Sequence, residues 1–201
     1  MTEAEWMACA EPRLLLDYHR MKKAPRRLRL LAAACVRLTV TADAPALASQ
    51  VIDVVERHAD GLALRAEFLA ARKAVRNAIK DGTEAPSVLA LRNLTNDEME
   101  GMTVTISNLS ARIGSSGCGL IRCVFGNPFR PVAFSPSWRT DTAVALAQQM
   151  YESREFGTMP ILADALQDAG CDSEDILTHC RDANQPHVRG CWVVDLVLGK
   201  E

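Results

Sequence analysis

Arg26-Arg-Leu-Arg-Leu-Leu-Ala-Ala-Ala-Cys-Val-Arg-Leu-Thr-Val40 is the stretch that decides the fold. Leu28, Leu31, Ala32, Cys35 and Leu38 recur at steps of three and four, which is the period of one helix face. Arg27 and Arg37 fall away from that stripe. The spacing predicts a helix over 26–40, buried along one side. The rest of the 201 residues have the composition to match: 48% are apolar, 24% charged and only 5% aromatic. That is too apolar for a disordered chain, and its wealth of Ala and Leu favours helix.

Working outward, the same period repeats. Toward the N-terminus, Thr2 and Glu5 have the spacing of a capping box, predicting a helix over 3–10. Pro12 opens a second helix that Ala24-Pro25 breaks. Toward the C-terminus, Asp43 and Pro45 start a helix ending near Asp60-Gly61. A further helix runs over 63–80 and closes at Gly82. Residues 82–87 (GTEAPS) are the candidate linker. Residues 88–113 fit one or two helices, although TVTIS at 103–107 alternates as a strand would. GSSGCG at 114–119 is expected to be a turn, followed by the short helix GLIRCVF. Residues 126–138 hold three prolines and three aromatics, and read as an ordered irregular segment. Thr140-Asp141, Pro160, Asp172 or Ser173, and Gln185-Pro186 then introduce four more helices. The expected fold is all-α, a compact bundle of about nine short helices with an ordered Pro/aromatic loop. It forms a single domain over 1–201, with possible halves 1–82 and 117–201 joined by 83–116.

Charge is unevenly placed. Seven basic residues and no acid lie between Arg20 and Arg37, and six acids stand against Arg181 between Asp164 and Asp182. Lys22, Lys23, Arg26, Arg27 and Arg29, with Arg130 in the irregular segment, are the candidate partner-binding residues. The net charge of −2 excludes a wholly basic nucleic-acid binder. The basic run also lacks interleaved aromatics and a helix-turn-helix pattern, so a protein partner is expected before a nucleic acid. No apolar run is long enough for a membrane helix. The start has no secretory layout, so a cytoplasmic protein with reduced cysteines is expected.

Seven cysteines and four histidines supply the candidate chemistry. Zinc needs four thiolate or imidazole ligands in a tetrahedron. The C-terminal set Cys171, Cys180, His187 and Cys191 offers them, with His179 as an alternative to Cys171. His187 and Cys191, four apart at an expected helix start, can face one way. No CxxC knuckle accompanies them, and packing of helical hairpins is the competing reading. Cys118 and Cys123 diverge by roughly 140° on a helix and read as core thiols. A nucleophilic pair would need His187 to approach Cys180 across a turn, because His179 and Cys180 point about 100° apart. Asp164, Asp168 and Asp172 step by four and read as a solvated face. GSSGCG lacks the Lys-Ser/Thr ending of a phosphate loop. Phe129, Phe134 and Trp138 read either as packing aromatics or as the base of a peptide groove.

Three stretches, MTEAEWMAC at the start, CGLIRCVFGNPFRPVAFSPSW at 118–138 and MPILADALQDAG onward to the terminus, resemble an uncharacterised, paralogue-rich family of planctomycete bacteria. The helix at 26–38 is similar to that family's, with Val36 where a second cysteine is expected. The resemblance implies kinship and an accessory role, and no reaction. The function expected is a non-enzymatic interaction or regulatory module that binds a protein partner and needs no cofactor. The alternatives are a structural zinc protein using the C-terminal Cys/His cluster and a Cys-dependent hydrolase.

Overall fold

The computed structural model describes residues 1–18, 24–39, 45–82, 86–96, 99–113 and 116–200. Of the described residues 73% are helical, and none is in a strand. They form α1 (Glu3–Ala8), α2 (Pro12–Leu16), α3 (Pro25–Thr39), α4 (Pro45–Ala59), α5 (Arg65–Lys80), α6 (Pro86–Leu94), α7 (Met99–Ile113), α8 (Ser116–Phe125), α9 (Asp141–Ser153), α10 (Met159–Asp168), α11 (Glu174–Arg181) and α12 (Trp192–Leu198). The all-α class is as expected. Ten of the twelve helices have seven or more residues, close to the expected count of about nine. The chain divides into two compact units, one of Ala8–Cys118 with Met1, the other of Thr2–Met7 with Gly119–Glu201.

In the first unit α3 is the central element. Leu28, Leu31, Ala32 and Cys35 are buried as the spacing predicts, but so are Arg29, Leu30, Ala33, Ala34 and Val36. The expected stripe is too narrow because α4, α6 and α7 all pack on this helix. A helix covered on several sides needs no polar face. Leu38, expected in the core, is 59% exposed.

The strand-like alternation at 103–107 is overruled by helical spacing. In α7, Met102, Thr105, Ile106 and Leu109 are buried, while Val104 is exposed. Thr105 Oγ1 accepts a 3.0 Å hydrogen bond from Asn93 Nδ2 of α6.

Much of the basic run is engaged within this unit. Arg26 reaches Asp60 at 2.9 Å, and Arg37 reaches Asp53 at 2.9 Å and Glu56 at 3.4 Å. Arg29 is buried with its guanidinium 5.3 Å from the Phe68 ring centre. Arg27 is half-buried. Lys22, Lys23 and the expected helix start at Asp43 lie outside the described residues.

The second unit is built on shorter helices. Thr140 caps α9, its hydroxyl accepting from the Ala143 N–H at 3.3 Å. Ala147, Met150, Leu162, Leu166, Ile176, Val194 and Val197 form its core. The Pro/aromatic segment is ordered against that core: Val132, Phe134 and Trp138 pack on it, and the last two rings meet edge-on at 5.3 Å. Arg139 lies over Phe134 and donates to the Leu196 carbonyl at 3.0 Å. The N-terminal helix is anchored here too. Trp6 is fully buried, Arg122 donates to its carbonyl at 2.7 Å, and Asn127 donates to Glu3 at 2.7 Å. GSSGCG is not simply a turn, because α8 begins at Ser116 and includes Gly117, Cys118 and Gly119.

Candidate metal centre

The centre starts from two residues of α8 and the glycine that follows it. Gly119, Cys123 and Gly126 stand at positions i, i+4 and i+7, within about 60° of one another around the helix. A Cβ on Gly119 would meet Pro186 Cδ and Cγ at 2.9 Å, and one on Gly126 would meet the Trp192 ring at 3.3 Å. The two glycines therefore let α8 lie directly against residues 185–192. Gln185 Nε2 closes the contact by donating to the Gly119 carbonyl at 2.8 Å. Cys123, between the glycines, is held against the chain that carries His187 and Cys191.

Those two residues converge through a turn. The sequence reading places them at a helix start, but α12 begins only at Trp192. Gly190 takes φ +89°, and the Cys191 N–H bonds back to the Val188 carbonyl at 2.9 Å. The fourth member comes from the last turn of α11. His179 Nε2 lies 3.2 Å from Cys191 Sγ, its ring 4.9 Å from His187 and 5.2 Å from Trp192. His187 Nδ1 is 3.9 Å from both Cys123 Sγ and Cys191 Sγ.

Cys123, His179, His187 and Cys191 thus each offer one ligand atom, all within 4.8 Å of one another. Zinc bonded tetrahedrally to sulfur and nitrogen separates its ligand atoms by about 3.3–3.8 Å. The three sulfur–nitrogen spacings above, 3.2, 3.9 and 3.9 Å, straddle that range. No spacing in the set exceeds the upper end of that range by more than about 1 Å. Among the described residues no other group of three or more His, Cys, Asp or Glu converges in this way.

The site has a buried side and an open side. Cys123 and Cys191 are fully buried, and both histidines are half-buried. His179 and Trp192 also line a 250 Å³ cleft, with Trp6, Asn127, Asp182 and Gln185 among its other walls. Burial pushes the Cys123 thiol up, and its neighbour Cys191 pushes it further. Burial also acts against a Cys191 thiolate. Hydrogen bonds from Cys123, His179 and His187, with the His179 charge, outweigh it and bring Cys191 well below the usual thiol range. One sulfur of the pair is thereby favoured as thiolate, which is the form a metal takes.

Of the four ligands expected from sequence, His187 and Cys191 belong to this group and Cys171 and Cys180 do not. Successive residues on a helix point about 100° apart. With His179 turned to the centre, Cys180 turns into the core beside Ile176, and Cys171 lies buried in the same core. Burial, then the neighbouring Cys191 and Cys171, push the Cys180 thiol up, so this candidate nucleophile is held protonated. Cys123 is the member of this group that sequence reasoning missed. Its divergence from Cys118 shows only that those two do not share an ion. The glycines three residues after it and four before it are the trace of the close approach.

The remaining candidates are placed elsewhere. Arg130 is exposed and paired with Glu3 at 2.6 Å, with Asp175 at 3.8 Å. Asp164 is bridged to Arg181 at 2.7 Å. No described helix is long and apolar enough to cross a membrane. No protein-family model, curated protein or solved structure matches the chain.

Proposed function

We propose that the second unit is a zinc-stapled helical domain, with Cys123, His179, His187 and Cys191 as the ligands. The observation that carries the reading is the convergence of four ligand atoms within 4.8 Å from three separate segments. Four protein ligands close the coordination sphere. Such a site holds structure, whereas catalytic zinc keeps a position open for water or substrate. The reading therefore favours a non-enzymatic protein.

The test is the zinc content of the purified chain and of single variants. One zinc per chain is expected, lost in Cys123→Ala and in Cys191→Ala. It is kept in Cys171→Ala, because Cys171 stands outside the group. A chain purified with zinc in the medium that carries no metal overturns the reading. Loss of zinc in Cys171→Ala, with Cys123→Ala unaffected, would return the site to the set expected from sequence.

A further inference from the structure

Resting on that reading, we infer that the centre is an oxidant-sensitive latch: peroxide converts Cys123 and Cys191 into a disulfide and releases the ion. Three observations lead there. First, the ligand set holds two sulfurs, and both belong to one cluster with their Sγ atoms within 4.8 Å. Two thiolates supply the two electrons that reduce one peroxide. Tetrahedral zinc holds such sulfurs about 3.8 Å apart, and a disulfide needs about 2.05 Å, so side-chain movement of under 2 Å makes the bond. Second, the remaining ligands are imidazoles, which peroxide leaves intact. Two neutral histidines alone are a poor zinc site, so the ion departs. Third, a cleft approaches the buried sulfurs, with His179 standing between it and Cys191. His179, 3.2 Å from Cys191 Sγ, lines the 250 Å³ cleft and puts a hydrogen-peroxide-sized molecule one side chain from the centre.

The chemistry balances with hydrogen peroxide as the oxidant. One thiolate attacks a peroxide oxygen, the O–O bond breaks, and hydroxide leaves a sulfenic acid behind. The second thiolate attacks that sulfur. The S–S bond forms and a second hydroxide departs. Two protons from solvent turn both hydroxides into water. The sulfurs lose two electrons, the peroxide gains them, and the zinc ion leaves unchanged in oxidation state. A thiol reductant and fresh zinc restore the starting state.

The experiment treats the zinc-loaded full chain with hydrogen peroxide, follows released zinc with a chromogenic chelator, and maps cross-linked peptides by mass spectrometry. Release of one zinc per chain is expected, together with a Cys123–Cys191 linked peptide pair. Dithiothreitol with zinc should reverse both. Cys180→Ser should behave as the parent, since Cys180 lies outside the ligand set although it is near Cys191. Zinc retained under peroxide overturns the latch and leaves the metal reading standing. So does release with a Cys180–Cys191 link, or with sulfinic acid and no link. A chain that never binds zinc overturns the metal reading and the latch together.

Discussion

The two units solve the same problem with different materials. The first uses long helices: α3, α4 and α7 have 15 residues each and α5 has 16. They bury a mainly apolar core around α3, with Arg29 and Glu56 among its buried residues. The second uses helices of 13, 10, 8 and 7 residues for α9 to α12. Helices this short are marginal on their own and depend on tertiary contacts. The extra contact is the sulfur–imidazole cluster, which ties α8, the end of α11 and the turn before α12. A core that is short of helix length gains most from a staple.

Removing the staple is the strongest way to break this comparison. Cys191→Ala takes away one of the four proposed ligands and leaves Cys123 and two histidines. Structural zinc in small domains contributes about 10–16 kcal/mol of apparent binding energy, much of it folding energy. The variant should lose its zinc and its amide protection across α11 and α12. Protection in α3 to α7 should persist, measured by hydrogen exchange. Equal loss in both regions would dissolve the distinction between them.

The corresponding cut in the first unit is smaller. Leu31 is fully buried at the middle of α3. Leu31→Ala removes buried apolar volume from this core, and should cost about 3 kcal/mol in denaturant unfolding. Zinc stoichiometry should stay at the parent value. A zinc loss in this variant would show that the staple depends on the first core.

Gly119→Ala tests the contact that builds the centre, and its sign is informative. In an exposed helix the change would stabilise by about 1 kcal/mol. Here the new methyl would sit 2.9 Å from two carbons of the Pro186 ring, which is rigid and one residue from His187. Overpacking of that kind costs about 1–3 kcal/mol. The net effect should be destabilisation, with weaker zinc binding as His187 is displaced. A more stable variant that binds zinc as the parent does would remove the close approach from the argument.

The sequence carries the local part of all this and little of the rest. Helix positions were legible because three-to-four spacing, Pro at first turns and Thr140 as a cap act over a few residues. The partners of α3 were not, because a stripe reports one buried face and α3 has several. The centre divides in the same way. His187 and Cys191 were legible as neighbours in sequence. Cys123 was not, because it is 64 residues from His187 and meets it only after α8 has packed on residues 185–192. Choosing His179 over Cys180 required knowing how α11 is rotated about its axis. Periodicity gave both residues to one helix and could not say which one faced the centre.

Leu38→Ala makes that limit measurable and should have the smallest effect of the set. By spacing, Leu38 continues the stripe of Leu28, Leu31 and Cys35, so the sequence alone predicts a loss like that of Leu31→Ala. In the structure it is 59% exposed near the end of α3. Little apolar area leaves water there, and Leu and Ala have similar helix preference. The expected change is under about 0.5 kcal/mol, as for most exposed sites. Measured beside Leu31→Ala, seven residues earlier on nearly the same side of the helix, the pair separates two causes. A large cost at 31 and almost none at 38 assigns the stability of α3 to the helices that cover its middle. Similar costs at both would mean that another part of the protein covers Leu38 as well.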